Sequence, residues 1–159
     1  MTTAVATQRK PFVGELLGRS DYPLIVVGAE NDRVFRQEKL ATGQNVIFAG
    51  RLSDQGLAAL YQHATAFVFP SLYEGFGVPP LEAMLFECPV IASDIEPVRE
   101  SCGGAVWYFS PTDAGGLAAL LNQRIAKGPL SEAERGQQRE RLARYSWRAS
   151  ALTLLSSFE

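Results

Sequence analysis

Five short apolar runs, alternating almost throughout with stretches of helical spacing, constrain this chain more than any other feature. They are Leu24-Ile25-Val26-Val27, Val46-Ile47-Phe48-Ala49, Ala66-Phe67-Val68-Phe69, Val90-Ile91-Ala92 and Ala105-Val106-Trp107-Tyr108-Phe109. A weaker first run covers Thr3 to Thr7. A strand with one wet face alternates apolar and polar residues, and these runs do not. Continuous blocks rich in β-branched and aromatic side chains suit strands covered on both faces, hence a mainly parallel sheet between helices.

The intervening stretches carry helix signals. Pro11 to Gly18 places Phe12, Leu16 and Leu17 on one face. Ser53-Asp54 caps a stretch holding Leu57, Leu60 and Tyr61, and Thr112-Asp113 caps one holding Leu117, Leu120 and Leu121. Pro79-Pro80 opens another helix, because proline is tolerated in a first turn. Two more follow Gly128-Pro129: a polar one over Ser131 to Tyr145 and an apolar one over Trp147 to Phe158. Strands alternating with helices define an α/β, Rossmann-like, doubly wound domain. The whole chain, 1–159, reads as one such domain, with ligands expected at the C-terminal edge of the strands.

Composition narrows the chemistry. A net charge of -2 gives no electrostatic reason to expect nucleic acid. Two cysteines, Cys88 and Cys102, and one histidine, His63, are too few for a disulfide framework or a Cys/His zinc site. The cysteines read as small packing residues and His63 as structural. No HExxH, GxSxG, P-loop or complete GxGxxG is present, and no Asp-x-Asp pair suggests a metal-held diphosphate. No cofactor and no metal are expected. The reading is of a cytoplasmic protein, since no apolar run approaches the ~18 residues of a membrane span.

One segment departs from packing logic: Phe69-Pro70-Ser71-Leu72-Tyr73-Glu74-Gly75-Phe76-Gly77-Val78-Pro79-Pro80-Leu81-Glu82-Ala83-Met84. A strand ends at Pro70 and a loop carries a carboxylate. Two glycines then flank an aromatic, and a helix begins with a second carboxylate expected in its first turn. Gly75 and Gly77 permit close backbone approach and unusual dihedrals. Amides at a helix mouth favour an anion, and a carboxylate there can accept hydrogen bonds from paired hydroxyls.

Glutamates eight positions apart in this frame resemble the E-x7-E signature of retaining GT-B glycosyltransferases, family 4. The similarity extends upstream through Val46-Ile47-Phe48-Ala49-Gly50 and Leu57-Ala58-Ala59-Leu60-Tyr61, and downstream through Pro89-Val90-Ile91-Ala92-Ser93-Asp94 and Glu100 to Pro111. Trp147 resembles the tryptophan near the start of the family's final helix.

The resemblance implies a donor-binding domain. Glu74 would lie against the transferred sugar and Glu82 would bind the ribose, with the amides of Gly75, Phe76, Gly77 and Val78 on sugar and diphosphate. Arg9-Lys10 resembles the family's basic entry to the first helix, with Pro11 replacing asparagine, and would grip the diphosphate. Arg51 lies where it could approach the base. Glu87 stands where relatives have glycine, which requires a turn tolerable to a side chain, and Gly104 stands where many have aspartate.

The partners implied are a nucleotide-diphosphate sugar, an N-terminal acceptor domain absent from this chain, and a glycan, lipid or small-molecule acceptor. A peripheral membrane association of the full-length protein and a dimer through an uncovered apolar edge that includes Phe76 are also expected. Two other classes fit the same residues: a non-catalytic nucleotide-sugar-binding module completed by a partner chain, and a hydrolase or epimerase of nucleotide sugars.

Overall fold

The computed structural model describes residues 3–7, 23–28 and 46–146. The expected helices over 11–18 and 147–158 lie outside these residues. Six strands form one sheet: β1 (Thr3–Thr7), β2 (Leu24–Val27), β3 (Val46–Gly50), β4 (Ala64–Phe69), β5 (Val90–Ser93) and β6 (Trp107–Phe109). The described helices are α1 (Asp54–His63), α2 (Val78–Leu85), α3 (Glu96–Cys102), α4 (Ala114–Lys127) and α5 (Glu132–Leu142). All pairings are parallel, in the order β3-β2-β1-β4-β5-β6.

Both faces of the central strands are covered, which is why their apolar runs do not alternate. Phe67 and Phe69 of β4 join Val90 and Ala92 of β5 against Tyr61, Leu81, Met84, Val98 and Cys102 from α1, α2 and α3. Ala66, Val68 and Ile91 point the other way, against Leu117 and Leu121 of α4. β3 departs from expectation. It is an edge strand, and Ile47 and Phe48 remain exposed.

The caps form as the sequence indicates. Ser53 Oγ accepts the Gly56 N–H at 3.2 Å, and Asp113 Oδ1 accepts that of Gly116 at 2.8 Å. Ser131 and Glu134 make a reciprocal capping box on α5. Two elements differ from the reading. The last strand is shorter than Ala105–Phe109, because Gly103–Ala105 close a 3-10 turn after the positive φ of Gly103. α3 was not anticipated: seven residues with few apolar positions carry no helical period.

Glu87 corrects an expectation. Its φ is +53°, the left-handed region, so the turn is not one that suits a side chain. The Glu87 N–H bonds the Met84 carbonyl at 3.0 Å and the Cys88 N–H bonds that of Ala83 at 3.1 Å. That is the Schellman ending of α2, with glutamate at the position glycine prefers. The carboxylate reaches Arg139 Nη1 at 3.1 Å, an exposed ion pair of small worth. Glu87→Gly and Glu87→Ala both remove that pair. The glycine variant is therefore expected to be the more stable of the two by about 1 kcal/mol in thermal unfolding. The reverse order would show that the left-handed turn is not strained.

Cys88 and Cys102 are buried, as packing residues should be. Burial pushes the Cys88 thiol up to about 12.

Candidate functional site

The candidate segment leaves the sheet at its topological switch. β1 pairs with β4, Ala6 opposite Val68, and the remaining strands fan out to either side, with β2 and β3 beyond β1 and β5 and β6 beyond β4. Loops leaving neighbouring strands at such a point diverge and open a crevice at the carboxyl edge. The loop after β4, residues 70–77, starts there. Arg9 and Lys10, two and three residues after the end of β1, lie outside the described residues.

Gly77 caps α2 with φ +84° and ψ +55°. A Cβ there would lie 3.2 Å from Val98 Cγ2 and 3.5 Å from Ser101 Oγ, so only glycine fits both the dihedral and the space. Gly75 differs from expectation. Its φ is not positive, and nothing lies within 4 Å of where its Cβ would be. Its lack of a side chain leaves backbone open to the outside.

α2 begins at Val78, so Pro79 and Pro80 occupy its second and third positions. Neither has an N–H. Donors at this mouth therefore come from Gly75 to Val78, and none of those four N–H groups is bonded to a described residue. Successive free amides in a loop with a left-handed residue form an anion-binding concavity.

The early start also moves Glu82. It is the fifth helical residue, beyond the first turn, so the helix dipole helps it less than expected. Val78 and Glu82, at i and i+4, share the outward face of α2. Glu82 is partly buried and has no hydrogen-bond or ion-pair partner among the described residues. Burial and then the Glu82 charge raise the phenol of buried Tyr61.

Glu74 is also partly buried, and Ser71 Oγ donates to its Oε1 at 2.6 Å. Phe76 is 44% exposed and meets the edge of Tyr145 at 5.5 Å between centroids. Tyr145 is anchored in turn by its hydroxyl, which donates to the Ser101 carbonyl at 2.8 Å. Tyr145 and Ser71 had no assigned role in the sequence reading. The serine was detectable as a hydroxyl three residues before a carboxylate. The tyrosine carried no local signal.

The surface around these groups is apolar. Tyr73 is 89% exposed and Val78 51%, with Leu72 and Leu85 also uncovered. The next strand's loop is self-contained: Asp94 and Arg99 form a forked pair, which holds the Asp94 carboxyl below its ordinary value. Arg51 is exposed at the end of β3, on the same edge.

Two hollows lie elsewhere. One of about 480 Å³ opens among the C-terminal ends of α1, α2 and α4, lined in part by His63, Thr65, Glu87 and Arg135. One of about 210 Å³ lies between the 3-10 turn and α5. The first is at the amino edge of the strands, opposite the edge where sheets of this topology bind ligands, so topology rather than volume locates the candidate site. No group of three or more His, Cys, Asp or Glu among the described residues is placed to hold a metal, and no described helix is long and apolar enough to cross a membrane.

Parallel strands in this order, with helices on both faces, define a Rossmann-like domain. The glycosyl transferases of group 1 match residues 12–146, and the chain belongs to that family. It is 30% identical over 145 residues to O-antigen chain mannosyltransferase B of Escherichia coli, covering 89% of this chain and 38% of that protein. It is 28% identical over 142 residues to the phosphatidyl-myo-inositol mannosyltransferase of Mycobacterium leprae, covering 87% and 38%.

Sucrose-phosphate synthase of Thermosynechococcus elongatus shares the fold with a TM-score of 0.80 at 25% identity, over 99% of this chain and 45% of that one. HepE of Anabaena, solved in complex with UDP-glucose, gives 0.77 at 19% identity, over 99% and 49%. The chain spans less than half the length of each of these proteins. The fold is that of GT-B glycosyltransferases.

Proposed function

We propose that this chain is the donor-binding domain of a retaining glycosyltransferase that moves a hexosyl group from a nucleotide-diphosphate sugar to an acceptor. The observation that carries the proposal is the run of four backbone amides at the sheet's switch point that bond no described residue, flanked by Glu74 and Glu82. In this reading Glu74 faces the transferred sugar, and Glu82 accepts hydrogen bonds from the ribose hydroxyls. The amides of Gly75, Phe76, Gly77 and Val78 take the diphosphate and sugar, with Arg9 and Lys10 as further diphosphate ligands.

The chemistry follows from where charge develops. As the glycosidic bond to the diphosphate breaks, positive character grows at the anomeric carbon and negative charge on the leaving group. Fixed N–H donors stabilise the leaving diphosphate without reorganising, and a carboxylate near the anomeric carbon favours the positive partner. No metal is needed in this scheme, because amides and basic side chains supply the electrophilic help. The named mannosyltransferase relatives favour a mannosyl donor, with a glycan or lipid as acceptor. Acceptor binding belongs to a further domain, and the chain alone binds donor without transferring it.

A panel including GDP-mannose, GDP, UDP-glucose and UDP, tested by calorimetry and thermal shift with and without a chelator, checks this reading. At least one nucleotide sugar is expected to raise the melting midpoint, since a ligand of the folded state stabilises it, and the chelator is expected to change nothing. Glu82→Ala is expected to weaken both nucleotide and nucleotide sugar by about tenfold or more, the worth of hydrogen bonds to a charged group. A panel with no binder would end the proposal.

A further inference from the structure

Glu74 is oriented by one small neighbour. Ser71 Oγ lies 2.6 Å from Glu74 Oε1 and 3.0 Å from the Tyr73 carbonyl oxygen. A hydroxyl has one proton and serves one of these acceptors at a time. A bond of 2.5–2.7 Å is characteristic of a hydroxyl donating to a carboxylate, so the shorter contact marks the favoured acceptor. The bond ties Glu74 back across its own loop. It occupies Oε1 and leaves Oε2 for a ligand.

The need for such a tie follows from the loop. Residues 71–76 have no helix or strand bonding. Glu74 forms no ion pair with a described residue, while a glutamate carries up to about 2 kcal/mol of rotamer entropy that ordering must overcome. A donor three residues upstream, just after the end of β4, settles that conformation before a ligand arrives. Binding then needs less ordering at the moment of contact.

We infer that Ser71 is the positioning residue for Glu74, and that it gives the site its preference for a nucleotide sugar over the bare nucleoside diphosphate. The inference rests on the reading of Glu74 as the residue facing the sugar. Ser71 bonds the carboxylate, so in that reading its loss acts through Glu74 on the sugar half of the ligand.

The test compares matched pairs, GDP-mannose with GDP and UDP-glucose with UDP, by calorimetry on the full chain. Ser71→Ala is expected to weaken binding of the nucleotide sugar by about tenfold, leaving the diphosphate within about twofold. Ser71→Thr keeps the hydroxyl and is expected to restore the preference. In a Glu74→Ala background, Ser71→Ala is expected to have no further effect, because the two residues act as one unit.

Equal weakening of sugar and diphosphate would overturn the inference, since that is the mark of a loop disturbed as a whole. So would an unchanged preference in Ser71→Ala, or a loss that persists without Glu74. A wild-type chain that binds diphosphate and sugar forms equally would instead refute the placement of Glu74 at the sugar, and Ser71's role with it.

Discussion

Replacing Arg124 by methionine is expected to lower the unfolding free energy by about 3 kcal/mol and the melting midpoint by roughly 6–12 °C. Arg124 is 1% exposed, on the inner side of α4. Its Nη1 meets Glu134 Oε1 at 3.1 Å, and its Nη2 donates to the carbonyls of Gly128 and, at 3.2 Å, Pro129. The guanidinium also lies 5.2 Å from the centre of the Trp107 ring.

One side chain thus closes the turn between α4 and α5. Methionine keeps the stem's packing and removes every one of those bonds. Lysine is not expected to rescue, because a point charge cannot fork to a carboxylate and two carbonyls. A loss below about 1 kcal/mol would mean that water replaces the guanidinium.

The same latch has a pH signature. Burial pushes the Glu134 carboxyl up, but bonds from Lys127 and from Ser131, with the Arg124 charge, outweigh it and bring it to about 2 from 4.5. The unfolded chain therefore takes its proton first as pH falls. The contribution is whole above pH 4.5 and is lost on the way to pH 2. Screening by solvent around Lys127 holds it to the order of 1 kcal/mol. Lys127 and Ser131 carry most of that depression, so the acid-sensitive window is expected to persist in the methionine variant and to flatten when Lys127 is replaced by methionine.

Arg124 and α5 also show where the sequence could not be read. Glu132 to Arg144 looks like a solvated face of interleaved charges, and Glu132 with Arg139 behaves that way. Gln138 and Arg141 in the same run turn inward, to the Cys88 carbonyl at 2.9 Å and the Ser101 carbonyl at 2.8 Å. Charge pattern reports which residues can be wet, and long side chains with fixed donors are equally able to satisfy buried carbonyls. By contrast β4 and β5 were plain in advance, because burial on both faces leaves an unbroken apolar block.

The site was legible as a strand, a loop and a helix with two carboxylates. Its finer placement was not. Whether α2 begins at Val78 or at Pro79 decides which turn Glu82 occupies, and prolines in the first turn are compatible with either. The Phe76–Tyr145 contact joins residues far apart in the sequence, which no local pattern records.

Gly77→Ala tests the link between this backbone and the chemistry assigned to it. The substitution is expected to lower stability by about 2–3 kcal/mol, roughly 1 for a left-handed non-glycine residue and the rest for forcing Val98 and Ser101 aside in a packed core. Val98 and Ser101 are fully buried, and the new Cβ would also meet Phe69 Cε1 at 3.9 Å.

Nucleotide-sugar affinity is expected to fall by about tenfold or more with it, because Gly77 lies within the run of amides, Gly75 to Val78, proposed to take the diphosphate. Gly75→Ala separates the two effects. With an ordinary φ and open space it should change stability by less than about 0.5 kcal/mol, while its new methyl stands where the ligand is proposed to approach. Should Gly75→Ala bind donor as well as wild type while Gly77→Ala loses only stability, the loop serves the fold and the anion lies elsewhere.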